Sequence, residues 1–256
     1  NCRHPEDLVT LFNTMSGAHH LDPWSRREIK TMSPPVSPAR AVQGKSALFI
    51  PALGGNIADA QYQAIVEKGL AKLSDLGLDI DVALDDPTQF QPDIATQMMT
   101  SNLAARVRQM SVEAQQHLGP GLQSLLGEEE FKSDGVRLQT DAIDRSRTYD
   151  RLELVLSNYD FVLTPTLTAP PPLADPNSDQ SVTINGNKER INKWWTHLSI
   201  ANLTGHPAIS IPCGIDANDL PVGLHAIGGW DRDSDLVSLA FASITCFDWT
   251  ERQPVY

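Results

Sequence analysis

At 256 residues the chain can bury one substantial core, or at most two small ones. With 32 acidic against 20 basic side chains, its formal net charge is -12 and no basic cluster stands out. That argues against a nucleic-acid partner, because phosphate-backbone binding needs positive charge. No run of about 18 apolar residues occurs, so no transmembrane helix and no membrane partner are expected. Cys2, Cys213 and Cys246 are odd in number and widely spaced, which gives neither a disulfide framework nor a zinc pattern. Free thiols in a reducing cytoplasm are the simplest reading. The amino terminus has no charged-then-apolar signal layout, and it begins with Asn1, as a processed or truncated chain would.

Residues 5–16 read as a helix, with Pro5 at its first position, acidic Glu6 and Asp7 in its first turn and Gly17 at its stop. Leu8, Leu11, Phe12 and Met15 recur on one face at helical spacing. Residues 18–44 are polar and proline-rich, hence mostly loop. Ser46–Ile50 is a short buried strand that breaks at Pro51. A second helix is expected over 57–76, with Ala60, Ala64, Leu70 and Leu73 among its apolar positions, and a strand over 78–84. Strand, helix and strand in that order predict a parallel pair with the helix packed across it. Two long helices follow, over 92–118 and 136–157, and the run Glu128-Glu129-Glu130 between them reads as a solvated face. The stretch 160–229 then reads as strand, long loop, helix, strand, tight turn and strand, with proline and glycine at each edge. Residues 235–247 form a last amphipathic helix. The whole reads as a single α/β domain over 1–256, a mixed β-sheet flanked by helices.

Few residues carry chemistry on their own evidence. Gly44-Lys45-Ser46 lacks the earlier glycine of a phosphate loop, where Ala39 stands, and precedes a strand instead of a helix. His19-His20 with Asp22 could ligate a metal, but neighbouring histidines point apart on an extended backbone, so a polar loop is preferred. His225 lies in an apolar strand, where a satisfied core or edge histidine is a simpler reading than a base. His206 precedes Pro207, which favours an extended backbone and leaves a site role open. No serine occupies a Gly-x-Ser-x-Gly elbow.

Several motifs in register resemble the carboxy-terminal part of the amidase signature hydrolases. They are Tyr159-Asp160, Pro165-Thr166, Ala201-Asn202-Leu203-Thr204-Gly205, Pro207-Ala208 and Pro221-Val222-Gly223-Leu224, preceded by Arg3-His4-Pro5-Glu6-Asp7 and Met15-Ser16-Gly17. The resemblance implies part of an α/β/α fold and hydrolysis of carbon–nitrogen amide bonds by a serine nucleophile, a second serine and an unprotonated lysine. Those residues sit around a Gly-Gly-Ser-Ser-Gly-type loop of the family, which this sequence lacks. Gly54-Gly55 is followed by Asn56, Gly228-Gly229 by Trp230, and none of the seven lysines has the motif's context. No catalytic residue, no cofactor and no metal are therefore assigned.

What the resemblance leaves legible is a substrate pocket for a small-molecule amide. A helix before the Asn-Leu-Thr-Gly stretch would line it, presenting Asn192, Trp195 and Ser199 at i, i+3 and i+7, with Thr166 beyond its strand as a further contact. One tryptophan of the Trp194-Trp195 pair could equally be core, and Asn202 and Thr204 would brace the next turn. A pocket half without its machinery predicts an inactive chain, completed by a polypeptide carrying the catalytic half or by a second copy of itself. The alternative is a binding or scaffold module descended from an amidase. A tRNA amidotransferase subunit, from the same family, is disfavoured because residues 144–150 lack its Tyr-Ala-Leu-Ser and Tyr-Tyr signatures.

Overall fold

The computed structural model describes residues 1–23, 25, 31–119, 122–123, 134–172 and 181–247. Strand β1 (Ser46–Phe49) and strand β2 (Asp79–Val82) are parallel and are joined by helix α2 (Ala60–Asp75), as the strand–helix–strand order predicts. Helix α1 (Pro5–Met15) precedes them. Helices α3 (Pro92–Val107), α4 (Val112–Gln116) and α5 (Gly135–Leu156) lead to strand β3 (Phe161–Pro165), parallel to β1 on its other side. A hairpin of β4 (Ser181–Ile184) and β5 (Asn187–Arg190) follows, then helix α6 (Ser199–Thr204). Strands β6 (Ala208–Ile215) and β7 (Pro221–Gly228) form an antiparallel pair, and helix α7 (Asp233–Phe247) closes the described chain. The main sheet runs β2-β1-β3-β7-β6, with β7 antiparallel to both of its neighbours.

All five residues of β3 are buried, as suits an apolar run in the middle of a sheet covered on both faces. One face packs Phe49, Phe161, Leu163 and Leu224 against Val66 and Leu73 of α2 and Leu239 of α7. The opposite face packs Leu48, Val162 and Ile227 against Ile94 of α3, Leu152 and Val155 of α5, and Ile200 and Leu203 of α6. Towards the carboxy end of β3 that second face turns polar. Thr164 is paired with His225, and Ser210 with His225 from the other side.

Several boundaries differ from the sequence reading for local reasons. Helix α2 starts at Ala60 because Asp59 caps it, its carboxylate accepting from Gln61 N–H. Its buried stripe is Tyr62, Val66, Gly69, Leu70 and Leu73, while Ala60 and Ala64 face solvent. On α1 the covered residues are Val9, Leu8 and Phe12, whereas Leu11 and Met15 are exposed. The helix expected over 92–118 stops at Val107, and Ser111 caps a new one by accepting from Ala114 N–H. The serine offers the backbone a competing partner, which favours a cap over a helix interior. The Glu128–Glu130 run and residues 173–176 of the proline-rich loop lie outside the described residues.

A charged knot ties the amino ends of β1 and β3 to α7. Asp160 accepts from Lys45 Nζ (3.2 Å), Arg232 Nη2 (2.8 Å) and the Ser46 N–H (2.9 Å), and Lys45 also reaches Asp235 (3.2 Å). Burial alone would raise the Asp160 carboxyl, but the Ser46 N–H and the two cations outweigh it and hold it below the usual carboxylate range. Its stabilising share is full above the unfolded pKa near 3.9 and is lost as pH falls through the lower folded value. Asp160→Ala leaves Lys45 and Arg232 sharing the single carboxylate of Asp235 and the Ser46 N–H without its acceptor. Discounted for the partial hydration of these groups, the expected loss is about 2 kcal/mol in urea unfolding at pH 7.

Candidate functional site

In open sheets with parallel strands, ligands gather beyond the carboxy ends of those strands. Here that region holds a half-open cleft of about 280 Å³, lined by Asn56, Phe90, Pro92, Asp93, Asn192 and Thr196 among others. After β1 the chain turns through Pro51–Gly55, where Gly54 has φ +62 and an added Cβ would meet the Pro92 ring at 2.8 Å. The Gly54 N–H donates to Asp86 (2.9 Å), which holds the loop in place and presents Asn56 to the opposite wall.

Asn56 is 4% exposed, and its Nδ2 donates to Thr196 Oγ1 (3.1 Å) and reaches His197 Nδ1 (3.4 Å). His197 Nε2 lies 2.8 Å from the Pro165 carbonyl, which can only accept, so Nε2 carries the proton and Nδ1 is left as the acceptor. That tautomer fixes the Asn56 amide with its nitrogen towards the ring. No protein donor among the described residues reaches Oδ1 of Asn56 or Oδ1 of Asn192, although both atoms are buried. Burial depresses the pKa of His197 and keeps the ring neutral.

His225 lies beside it in β7, and burial pushes its pKa down to about 3, with two adjacent imidazolium charges disfavoured as well. It is a core histidine, as read from the sequence, but not a satisfied one, because its Nδ1 has no partner among the described residues. The Cys213 thiol is pushed up to about 12 by burial, which removes it as a nucleophile at neutral pH.

The expected pocket helix is not one helix. Ile191–Trp194 and Thr196–Leu198 are separate 3-10 turns, and α6 begins only at Ser199. Trp195 between them has φ -142, far from helical, so the i, i+3, i+7 face of Asn192, Trp195 and Ser199 does not form. Asn192 lines the cleft, together with Thr196, which the sequence did not single out. Trp195 is 37% exposed and outside the cleft lining, and the Ser199 hydroxyl donates back to the Thr196 carbonyl. Trp194 is the core member of the pair. Its Nε1 donates to Ala169 O (2.7 Å), and its ring packs with Ala169, Val182 and Ile184.

Thr166 stands at the same end of the sheet, bonded hydroxyl to hydroxyl with Ser210 (2.6 Å). The pair lies over Gly223, where a Cβ would come within 2.6 Å of Thr166 Oγ1 and 2.9 Å of Ser210 Oγ. His206 is elsewhere, at the amino end of β6. It is bonded to Thr204 Oγ1 (2.8 Å) and Glu153 Oε1 (2.7 Å) beside the rings of Tyr149 and Trp230. Thr204 thus braces the turn into β6, as expected. His19 and His20 sit in a loop with ring centroids 4.7 Å apart, and no three metal-ligating side chains cluster among the described residues. No described helix is long and apolar enough to cross a membrane.

Comparison with known proteins places the fold. The chain overlays a bacterial aryl acylamidase of the amidase signature enzymes with a TM-score of 0.79 at 20% identity, over 99% of its own length and 55% of that chain. It overlays 6-aminohexanoate cyclic dimer hydrolase with a TM-score of 0.74 at 16% identity, again over 99% and 55%. A glutamyl-tRNA(Gln) amidotransferase subunit from Thiobacillus denitrificans is 31% identical over 121 residues, 47% of this chain and 23% of that protein. The chain thus spans about half the length of those solved structures. The pattern of the Amidase family matches residues 3–237, and on that match the chain belongs to the Amidase family.

Proposed function

We propose that the chain supplies the substrate-pocket half of an amide-bond hydrolase and is inactive alone. The observation that carries this reading is the half-open cleft beyond the carboxy end of β1, lined by Asn56, Asn192 and Thr196. Side-chain amides and a hydroxyl can each donate and accept, which suits the N–H and C=O of an amide substrate. In this reading Asn192 and Thr196 orient the amide, Asn56 fixes Thr196 through its Nδ2, and neutral His197 holds Asn56. Thr166 and Ser210 contact the substrate's other end, while Trp195 and Ser199 frame the outer wall. The nucleophile, the relay serine and the lysine come from a segment outside this sequence, which accounts for the family match without a Gly-Gly-Ser-Ser-Gly-type loop. Removing such a nucleophile and base typically costs about a million-fold in rate.

Labelling natively isolated material with a serine-directed phosphonate and weighing the labelled polypeptide tests this. The expected label sits on a polypeptide segment outside these 256 residues. Label within them overturns the assignment of the machinery, and no label anywhere leaves the binding module as the better account. In the native assembly, without label, Asn192→Leu is expected to lower kcat/KM by about 10-fold, the loss of one hydrogen bond to substrate. The likeness to the Thiobacillus amidotransferase protein supports a second reading, in which the amide handled is that of glutamine. Faster turnover of glutamine than of an aryl amide would select it.

A further inference from the structure

The β4–β5 hairpin turns on Asn185-Gly186, the only Asn-Gly pair in the sequence. Ile184 and Asn187 face each other across it, so the loop has two residues, and both take positive φ. Asparagine followed by glycine is what such a turn favours. The same pair is chemically labile, because the asparagine side-chain amide stands next to a main-chain nitrogen that glycine leaves unshielded. Both residues are exposed, and nothing stands within 4 Å of where a Gly186 Cβ would be. The Gly186 N–H has no acceptor among the described residues.

What restrains the reaction is a set of contacts with the start of α2. Asn185 Oδ1 accepts from the Ala60 N–H (2.8 Å), its Nδ2 donates to the Ala58 carbonyl (3.4 Å), and its own N–H donates to Asp59 (2.9 Å). Ala60 is the first residue of a 16-residue helix, so its N–H has no partner within the helix and finds one in the asparagine oxygen. Closing a ring onto the Gly186 nitrogen rotates the side-chain amide. The bonds to Ala60 and Ala58 hold that amide still, and both must open first.

We propose that Asn185 is a self-modification site, held unreactive while the hairpin tip is fastened to α2 and reactive when the tip lifts. In the lifted state the Gly186 nitrogen attacks Cγ of Asn185. The N–Cγ bond forms, the Gly186 amide proton passes to solvent, the Cγ–Nδ2 bond breaks, and Nδ2 leaves as ammonia. Water then opens the succinimide at either carbonyl. One opening restores the ordinary chain with an aspartate at 185, and the other leaves an isoaspartyl link with one more carbon in the main chain. The longer loop no longer fits between Ile184 and Asn187, and either product sets a second carboxylate beside that of Asp59. Conversion is therefore one-way, and it accumulates with each lifting of the tip. Water is its one co-reactant, and no ligand or second chain takes part.

Peptide mapping of the full chain, held at mildly alkaline pH, tests this through the amide-to-acid mass change and the isoaspartate content at residue 185. In the native chain Asn185 is expected to convert before any other asparagine. It is expected to do so about 10- to 100-fold more slowly than in the same chain unfolded in guanidinium chloride, because two hydrogen bonds must open. Ala60→Pro isolates the restraint. Proline suits the first helical position, the ψ of 140 at Asp59 suits the residue before a proline, and the N–H removed is the one that holds Asn185 Oδ1. The variant is expected to convert about 5-fold faster than the parent, the worth of one hydrogen bond, with its circular dichroism unchanged. Conversion of another asparagine while Asn185 stays intact overturns the site. Equal rates in the native and unfolded parent chain overturn the restraint, as does a folded Ala60→Pro protein that converts at the parent's rate. Should Ala60→Pro fail to fold, the native-against-unfolded comparison on the parent chain decides alone.

Discussion

Gly69→Val is expected to destabilise the chain by about 3 kcal/mol or more, read as a lowered urea midpoint at pH 7. Gly69 sits in the middle of α2, where glycine is a poor helix former by about 1 kcal/mol relative to alanine. Its presence there has a packing reason. A Cβ at that position would lie 2.7 Å from Cys213 Cβ and 3.0 Å from the Cys213 carbonyl, both in β6. Neither obstacle is the free end of a flexible chain, so α2 itself must lift from the sheet and open the contacts of Val66, Leu70 and Leu73. Overpacking of that kind typically costs about 1–3 kcal/mol, more than the helix propensity returns. Gly69→Ala therefore also destabilises, by less. A stabilised Gly69→Ala protein would show that α2 and β6 are farther apart than described.

Acidification is expected to be the second large effect. His197 and His225 are both kept neutral by burial, with His225 near 3 against about 6.5 in an unfolded chain. The folded pKa is the lower one, so the unfolded state binds more protons below about pH 6.5. Stability is then full above about 6.5 and falls as pH drops towards the folded value, by up to ~1.4 kcal/mol per unit for each histidine. Between about pH 6.5 and 5 this amounts to about 2 kcal/mol from His225 alone. His225→Leu removes that proton site and a buried nitrogen without a partner among the described residues. The variant is expected to match the parent at pH 7 to within about 1 kcal/mol and to exceed it at pH 5. Parallel stability curves for the two proteins from pH 7 to 5 would refute the argument.

Much of the sheet was legible because its strands are punctuated. Pro51 and Gly77 separate β1, α2 and β2 from one another, the Asp160–Thr166 run reads as a buried strand, and Pro207, Gly214, Pro221 and Gly228 punctuate β6 and β7. The β4–β5 hairpin was also written in the sequence. Asn185 and Gly186 both adopt positive φ, 51 and 76, the signature of an Asn-Gly turn, but the proline-rich residues before it made the region read as loop. The pocket was less legible. Helical spacing grouped Asn192, Trp195 and Ser199, yet a backbone break at Trp195 separates them, and periodicity cannot register a break. Asn56 meets Thr196 across 140 residues, and Ser210 meets Thr166 across 44, so only the folded chain joins them. Asn56 carried one usable signal, its place just beyond a parallel strand.

The β4–β5 turn also determines how the cleft can behave. Asn185 N–H donates to Asp59 (2.9 Å) and its Oδ1 accepts from Ala60 N–H (2.8 Å), so the hairpin tip is fastened to the first turn of α2. Asp59 N–H in turn donates to Thr168 O, and Thr168 Oγ1 donates to Lys193 O (3.0 Å), next to Asn192. The wall bearing Asn192 and Thr196 is thereby braced to the core between α2 and the sheet, and cannot swing outward without unfastening α2. Across the cleft, Pro92 and Asp93 sit in the first turn of α3, whose hold on the core includes buried Ile94. One jaw is fixed and the other is a helix end, so under the proposed function accommodation of a larger guest falls to α3, and size selection is set on the Asn192 side.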